Sequence, residues 1–363
     1  MSQIRKFVLI FALLGFAVTS ANADVFTVEN VAIDGHGASV TAARLAAIKA
    51  GTEEAANILI ERLTLMEDRF NIGWEQIDSD IASQLVSGIQ ISDERRSDRR
   101  YLGVLQVTFN RQRVRDFLNS QQLPFVEAQT APALVIPVWN GPEGSVLWQE
   151  NIWWQAWASS SPLNDLTPLT LPLADLGDQQ ALNVGQALRL DRAALSDIAG
   201  RYDVKKVVIA IASITGPGRI SVKVNTIQWD DTDRLMLRQR QVIADGNDAG
   251  TAMRALSMAG KRAKKQIVSL MQTEWKQRAI VRGDTTTTVL VTVSYANIQQ
   301  WLLLREVLAS SALVTEARLD ALSADGALMT LTYVGTEQQL ALQLSESGVD
   351  FLDTNIGLVA RLR

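Results

Sequence analysis

The residues able to do chemistry are few and unevenly spread. The 363-residue chain has one histidine, no cysteine and nine tryptophans. Five of those tryptophans, Trp139, Trp148, Trp153, Trp154 and Trp157, fall within one short stretch. Without cysteine and with only His36, most zinc sites, iron–sulfur clusters, thiol nucleophiles and haem attachment motifs are excluded. Only an all-oxygen calcium or magnesium site remains open, and no Asp-x-Asp-x-Asp-Gly loop, phosphate loop or Gly-x-Ser-x-Gly elbow is present. No cofactor is therefore expected.

The tryptophan stretch admits two readings. Asn140-Gly141-Pro142-Glu143-Gly144 leaves an apolar strand, Ala133 to Val138, at its carboxyl end, where open α/β sheets place ligand crevices. Trp153 and Trp157, four apart, share one helix face and could offer flat apolar surface to a sugar ring, a peptide or a partner. Alternatively the rings fill the space between helix and sheet, in which case at least Trp153 or Trp157 must be buried. A second candidate is basic. Arg95, Arg96, Arg99 and Arg100 crowd a charged segment, with Arg111, Arg113 and Arg115 following, and could meet an acidic partner or anionic headgroups. Glu94 and Asp98 dilute the patch, and a solvated hairpin tip explains it equally. His36 between glycines reads as a turn residue. The carboxylate pairs at Asp230-Asp231 and at Asp175 to Asp178 fall in turn sequence, where aspartate serves local hydrogen bonding.

These residues need elements to hold them. Arg5 and Lys6 precede an apolar run, Phe7 to Val18, that ends in Ala21-Asn22-Ala23, so residues 1–23 read as a secretory signal peptide with cleavage before Asp24. The run is too short to span a bilayer, which places the mature chain in the periplasm without a transmembrane span. The formal charge of −4 becomes more acidic once Arg5 and Lys6 are lost, which argues against nucleic acid as a partner.

The remaining chain divides into three modules of α/β and α+β type. Residues 24–129 read as an αβ module in the order strand, helix, helix, strand, strand, helix. Its strand is Val25 to Ile33, and its first helix, Ser39 to Thr64, buries Ala47, Ala50, Ile58, Leu59 and Leu63. Ile77, Ile81, Leu85 and Ile89 mark the second helix. Residues 130–282 form a mixed-sheet α/β domain. Apolar runs at Ala133 to Val138, Leu169 to Leu173 and Val204 to Ala212 imply parallel strands, and Arg219 to Trp229 pairs with Arg234 to Ala244 as a hairpin. A long closing helix, 247 to 278, carries a stripe of Met253, Leu256, Gly260, Ala263, Ile267 and Leu270. Residues 283–363 read as a ferredoxin-like βαββαβ domain ending in a strand at Leu358 to Leu362.

Several segments resemble a family of exported proteobacterial proteins defined only as a domain of unknown function. They are Ala43-Arg44 through Glu61-Arg62-Leu63-Thr64, Trp148 through Asn151-Ile152-Trp153-Trp154-Gln155-Ala156-Trp157, Leu166-Thr167-Pro168-Leu169 with Pro172-Leu173-Ala174-Asp175, and Ala199-Gly200-Arg201-Tyr202-Asp203. The resemblance implies export but carries no catalytic residue. The central domain also looks like the small α/β domains of envelope assembly proteins, such as the amino-terminal domain of the Tol-system propeller protein. The expectation is a non-enzymatic periplasmic adaptor or assembly protein with an envelope protein as partner. The alternative is a glycan- or lipid-binding module built on Trp139 to Trp157.

Overall fold

A computed structural model describes residues 24–158, 164–229, 234–247, 250–283, 285–355 and 357–363. The expected signal peptide and the Asp230-Asp231 pair lie outside the described residues.

The first module runs β1 (Thr27–His36), α1 (Val40–Leu63), α2 (Met66–Asn71), α3 (Ser79–Leu85), β2 (Val86–Arg96), β3 (Arg100–Phe109) and α4 (Arg111–Ser120). Its sheet is antiparallel in the order β1-β3-β2. Ser39 caps α1 by accepting the Ala42 amide. Small residues on its inner face let α1 lie close on β1: a Cβ at Gly35 would sit 2.2 Å from the Ala43 carbonyl oxygen. Gly35 therefore serves close approach and not a turn, which is why β1 continues to His36. Ala50, expected in the core, is exposed, and Ile58 only half-buried. The four-residue spacing from Ile77 overstates the second helix, because Asp78 caps α3 and Val86 already begins β2. Ile89 sits opposite Val107 of β3 instead, where strand pairing overrides the helical period.

The central module contains β4 (Ala133–Gly141), β5 (Gly144–Val146), α5 (Ile152–Ala158), β6 (Leu169–Thr170), α6 (Leu176–Ala181), α7 (Val184–Arg189), α8 (Arg192–Arg201), β7 (Lys206–Gly216), β8 (Arg219–Trp229), β9 (Leu235–Asp245) and α9 (Ala252–Ala279). Its mixed sheet follows the order β5-β4-β7-β8-β9, with β6 also on β4. β4 runs parallel to β7 and to β6, and β7-β8-β9 is an antiparallel meander. The apolar strands β4 and β7 are covered on both faces, by α5 and α9 on one side and by α7 and α8 on the other. The Leu169 to Leu173 run pairs over two residues only. In α9 the buried stripe is Ala255, Ala259, Gly260, Ala263 and Ile267, while Met253 and Leu270 face outward.

The third module runs β10 (Thr286–Ser294), α10 (Ile298–Ser310), β11 (Val314–Leu322), β12 (Gly326–Val334), α11 (Glu337–Glu346), β13 (Val349–Thr354) and β14 (Gly357–Leu362). The expected βαββαβ unit is completed by β13, a strand the sequence reading passed over. β14, expected as the last strand, inserts parallel to β10 and gives the order β11-β12-β10-β14-β13. No described helix is long and apolar enough to cross a membrane.

Candidate functional site

The tryptophan stretch splits across the central sheet. Asn151 caps α5 by accepting the amides of Trp153 and Trp154 at 2.9 and 3.0 Å, which sets the helix phase. Trp153 and Trp157 then share one face, as their spacing requires, with rings edge-to-face at 5.6 Å. That face turns inward. Trp153 is fully buried and donates its indole N–H to the Ala210 carbonyl of β7 at 2.9 Å, so the ring pins α5 to the sheet. Trp157 is buried beneath α9, with Lys264 Nζ 5.6 Å from its ring. Gly260 of α9 faces them across the contact: a Cβ there would meet Ala156 at 3.5 Å and the Trp153 ring at 3.8 Å, ordinary packing distances. Contrary to the sequence expectation, neither ring is open to a ligand, since reaching it would mean opening the core.

Trp139, Trp148 and Trp154 are half-buried. Trp148 lies against the opposite layer and donates to the Leu182 carbonyl at 2.7 Å, while Trp154 meets it edge-on at 6.4 Å. The segment after β4 is a hairpin that pairs Trp139 with Val146, not an open loop at a crevice.

The basic hairpin tip is also reduced. Arg100 makes two bonds to Asp34, at 2.9 and 2.7 Å, and this pairing holds the Asp34 carboxyl below its ordinary range. Arg95, Arg96 and Arg99 are left exposed among Asp93, Glu94 and Asp98. Arg115 pairs with Glu127 at 2.6 Å, and Arg113 donates to the Gln84 carbonyl. His36 ends β1, exposed, with Nε2 3.5 Å from Asp34 and Arg100 opposite it across the strands.

The aspartates at 175 and 178 prove structural. Asp175 caps α6, and Asp178 is fully buried, accepting from Arg201 Nε at 2.8 Å, the Tyr202 hydroxyl at 2.7 Å and the Ala174 amide at 2.8 Å. Two of the motifs carrying the family resemblance, Pro172 to Asp175 and Ala199 to Asp203, thus meet in one clamp between α6 and α8.

An interaction feature the sequence reading did not isolate is the outer edge of the central sheet. β9 pairs with β8 over eleven consecutive residues without a register shift, and no described strand covers its other side. The outer strands β1, β2 and β11 each carry a bulge or irregularity, and β5 and β13 are short. Such shifts and short lengths blunt an edge. β9 has neither protection. Gln239 and Gln241 donate to Asn225 and Ser221 of β8 at 2.8 Å, tying the two strands side chain to side chain as well. Arg238 and Arg240 are drawn onto Glu274 of α9. Met236, Leu237 and Ile243 are exposed along it. No family model, curated protein or solved structure matches the chain.

Proposed function

We propose that the chain is an exported, non-enzymatic adaptor of the bacterial envelope that engages a partner protein by strand addition to β9. On this reading it belongs with the exported family whose motifs it resembles and is processed before Asp24. The Asp24 amide nitrogen donates to Asn164 Oδ1 at 3.0 Å, a bond that a free amino terminus can keep. The observation that carries the reading is the long, regular, unpaired edge of β9. Its free N–H and C=O groups are a template for an extended segment of another chain, with affinity from main-chain bonds and selectivity from the side chains beside it. Burial of Trp153 and Trp157 supports this over a sugar platform, because the rings best placed for stacking are spent on packing.

The test is site-specific photo-crosslinking in intact cells, with the probe at Leu237 or Ile243 and a control at Leu45, which is exposed on α1. One discrete adduct from both β9 positions and not from Leu45, lost when Met236 and Ile243 are changed to aspartate, is the expected result. Equal labelling from Leu45, or no adduct from a protein shown to be folded, would remove the adaptor reading. Terminal sequencing of the mature protein checks export independently; a retained Met1 would rule processing out.

A further inference from the structure

The chain is acidic overall, yet it gathers positive charge in one concavity. A cleft of about 750 Å³ opens between α1 and α2 on one side and α9 on the other. Six cationic side chains line it against three carboxylates, Glu61, Glu67 and Asp165. This is a formal excess of three in a chain whose total is −4.

The excess is built in by how the inner cations are held. Lys276, buried on the last turn of α9, donates to the backbone carbonyls of Glu61 and Thr64 at 2.9 and 2.8 Å. Arg62 donates to the carbonyls of Val25 and Thr27 and faces Asp165 at 3.3 Å. Arg69 bonds the Thr64 hydroxyl at 2.8 Å, and Lys264 the Trp157 carbonyl at 3.2 Å. A carbonyl satisfies a donor but brings no net charge. Arg69 and Lys276, bonded to neutral oxygens, therefore keep much of their field, in a setting less screened than open water. Burial lowers the pKa of Lys264 against the opposing pull of Asp165, and that of Lys276 with the nearby Arg69 adding to it.

At the mouth stand Lys261 and Lys265, four apart on α9, exposed, and without an ion pair among the described residues. Two ammonium groups at this spacing can close on one group with several acceptor oxygens. Met66 of α2 also lines the cleft, and Phe70 follows one turn on; they are 74% and 84% exposed.

We propose that this cleft binds a phosphate-bearing anion, with the phosphate between Lys261 and Lys265 and the inner cations of α1, α2 and α9 behind it. The volume is that of a small-ligand site and not of a protein-protein face. Phosphate chemistry is shared by a soluble phosphorylated molecule and by the headgroup of an anionic lipid, for which Met66 and Phe70 would supply the apolar contact. This site is separate from β9, on the far side of α9, and does not depend on the adaptor reading.

The experiment uses the full mature chain and two probes: inorganic pyrophosphate by calorimetry, and flotation with phosphatidylglycerol vesicles against phosphatidylcholine vesicles. Saturable binding of at least one probe is expected, weakened roughly tenfold or more in Lys261→Gln/Lys265→Gln and unchanged in Arg95→Gln/Arg96→Gln. Both pairs are exposed, so both variants should keep the wild-type melt. Pyrophosphate binding indifferent to Met66→Ser/Phe70→Ser identifies a soluble source; vesicle binding lost in that variant identifies a headgroup. Binding of neither probe, equal loss in the Arg95/Arg96 control, or tighter binding of an acidic peptide than of either probe would overturn the proposal.

Discussion

At the scale of single residues, the two central tryptophans differ in a way their sequence context does not announce. Trp153 has its indole N–H bonded to Ala210, whereas that of Trp157 is buried without a hydrogen-bond partner among the described residues. Truncation of either to alanine should cost about 3–5 kcal/mol through cavity formation, and that of half-buried Trp154 clearly less. Replacement by phenylalanine separates the pair. Trp153→Phe also removes the bond to the Ala210 carbonyl, which β7 keeps in its ladder, so it should cost about 0.5–1.5 kcal/mol more than Trp157→Phe. Equal losses in chemical denaturation would show that the hydrogen bond contributes nothing. Lys276 gives a pH signature. Burial, with Arg69 close by, lowers its pKa to about 8 from 10.5. The folded state thus releases the proton before the unfolded state does. The cost of burying the charge is fully present below pH 8 and is relieved as pH rises from 8 to 10.5. Relative to Lys276→Met, which removes the titration, the wild type should gain on the order of 2–3 kcal/mol across that window. A flat difference would mean that Lys276 is solvated in the folded state.

At the scale of elements, the clamp between α6 and α8 shows why paired aspartates look catalytic in a sequence and are structural in the fold. Asp175→Ala removes a helix cap and should cost about 1 kcal/mol. Asp178→Ala takes the acceptor from the Tyr202 hydroxyl and the Ala174 amide and leaves Arg201 with Asp175 alone, and should cost about 3 kcal/mol. Comparable melting shifts for the two would contradict the burial of Asp178. The sequence disclosed what local rules govern: the long first helix opening near Ser39, the hairpin around the charged tip, and the hairpin that Arg219 to Trp229 makes with the strand after it. It concealed what depends on distant partners. Ile89 keeps a helical spacing but joins a strand because β3 is there to pair with it. In the sequence, α9 shows an apolar stripe, and nothing is assigned to its lysines. Only the arrival of α1, some 200 residues earlier in the chain, turns their side of the helix into the wall of a cleft. The exposure of β9 is likewise set by sheet order, which no residue within the strand encodes.

At the scale of the whole molecule, three modules do not imply three folding units. The core of the first module is completed from outside it: Leu166 and, from the end of α9, Trp275 and Ile280 are buried among residues of β1, α1 and α4. Trp275 donates to the Ala128 carbonyl at 2.7 Å, Lys276 closes on the end of α1, and the Thr130 amide donates to Leu166. α9 therefore belongs to two cores at once, packing on β8 and β9 with its first half and under α1 with its last turns. The third module keeps its buried residues, Val291 to Ala360, to itself. It is tied to the rest by Leu342, which packs against the first core, and by polar contacts such as Gln339 to the Ile280 carbonyl and Glu346 to the Ala131 amide. The expected outcome is two cooperative transitions. A fragment of residues 24–282 should melt as one unit, and one of residues 282–363 should fold and melt alone, although a domain of that size is only marginally stable. A fragment of residues 24–129 loses the packing of Trp275, Leu166 and Ile280. Losing the tryptophan alone is worth about 3–5 kcal/mol against a usual total of about 5–15 kcal/mol, so this fragment should melt far below the longer one, or without a cooperative transition. Trp275→Ala supplies the check within the intact unit. It should lower the 24–282 transition as a whole, followed by circular dichroism and by tryptophan fluorescence with coincident curves. An early, separate transition of the first module would show that α9 merely leans on it, and that the chain folds as three independent parts.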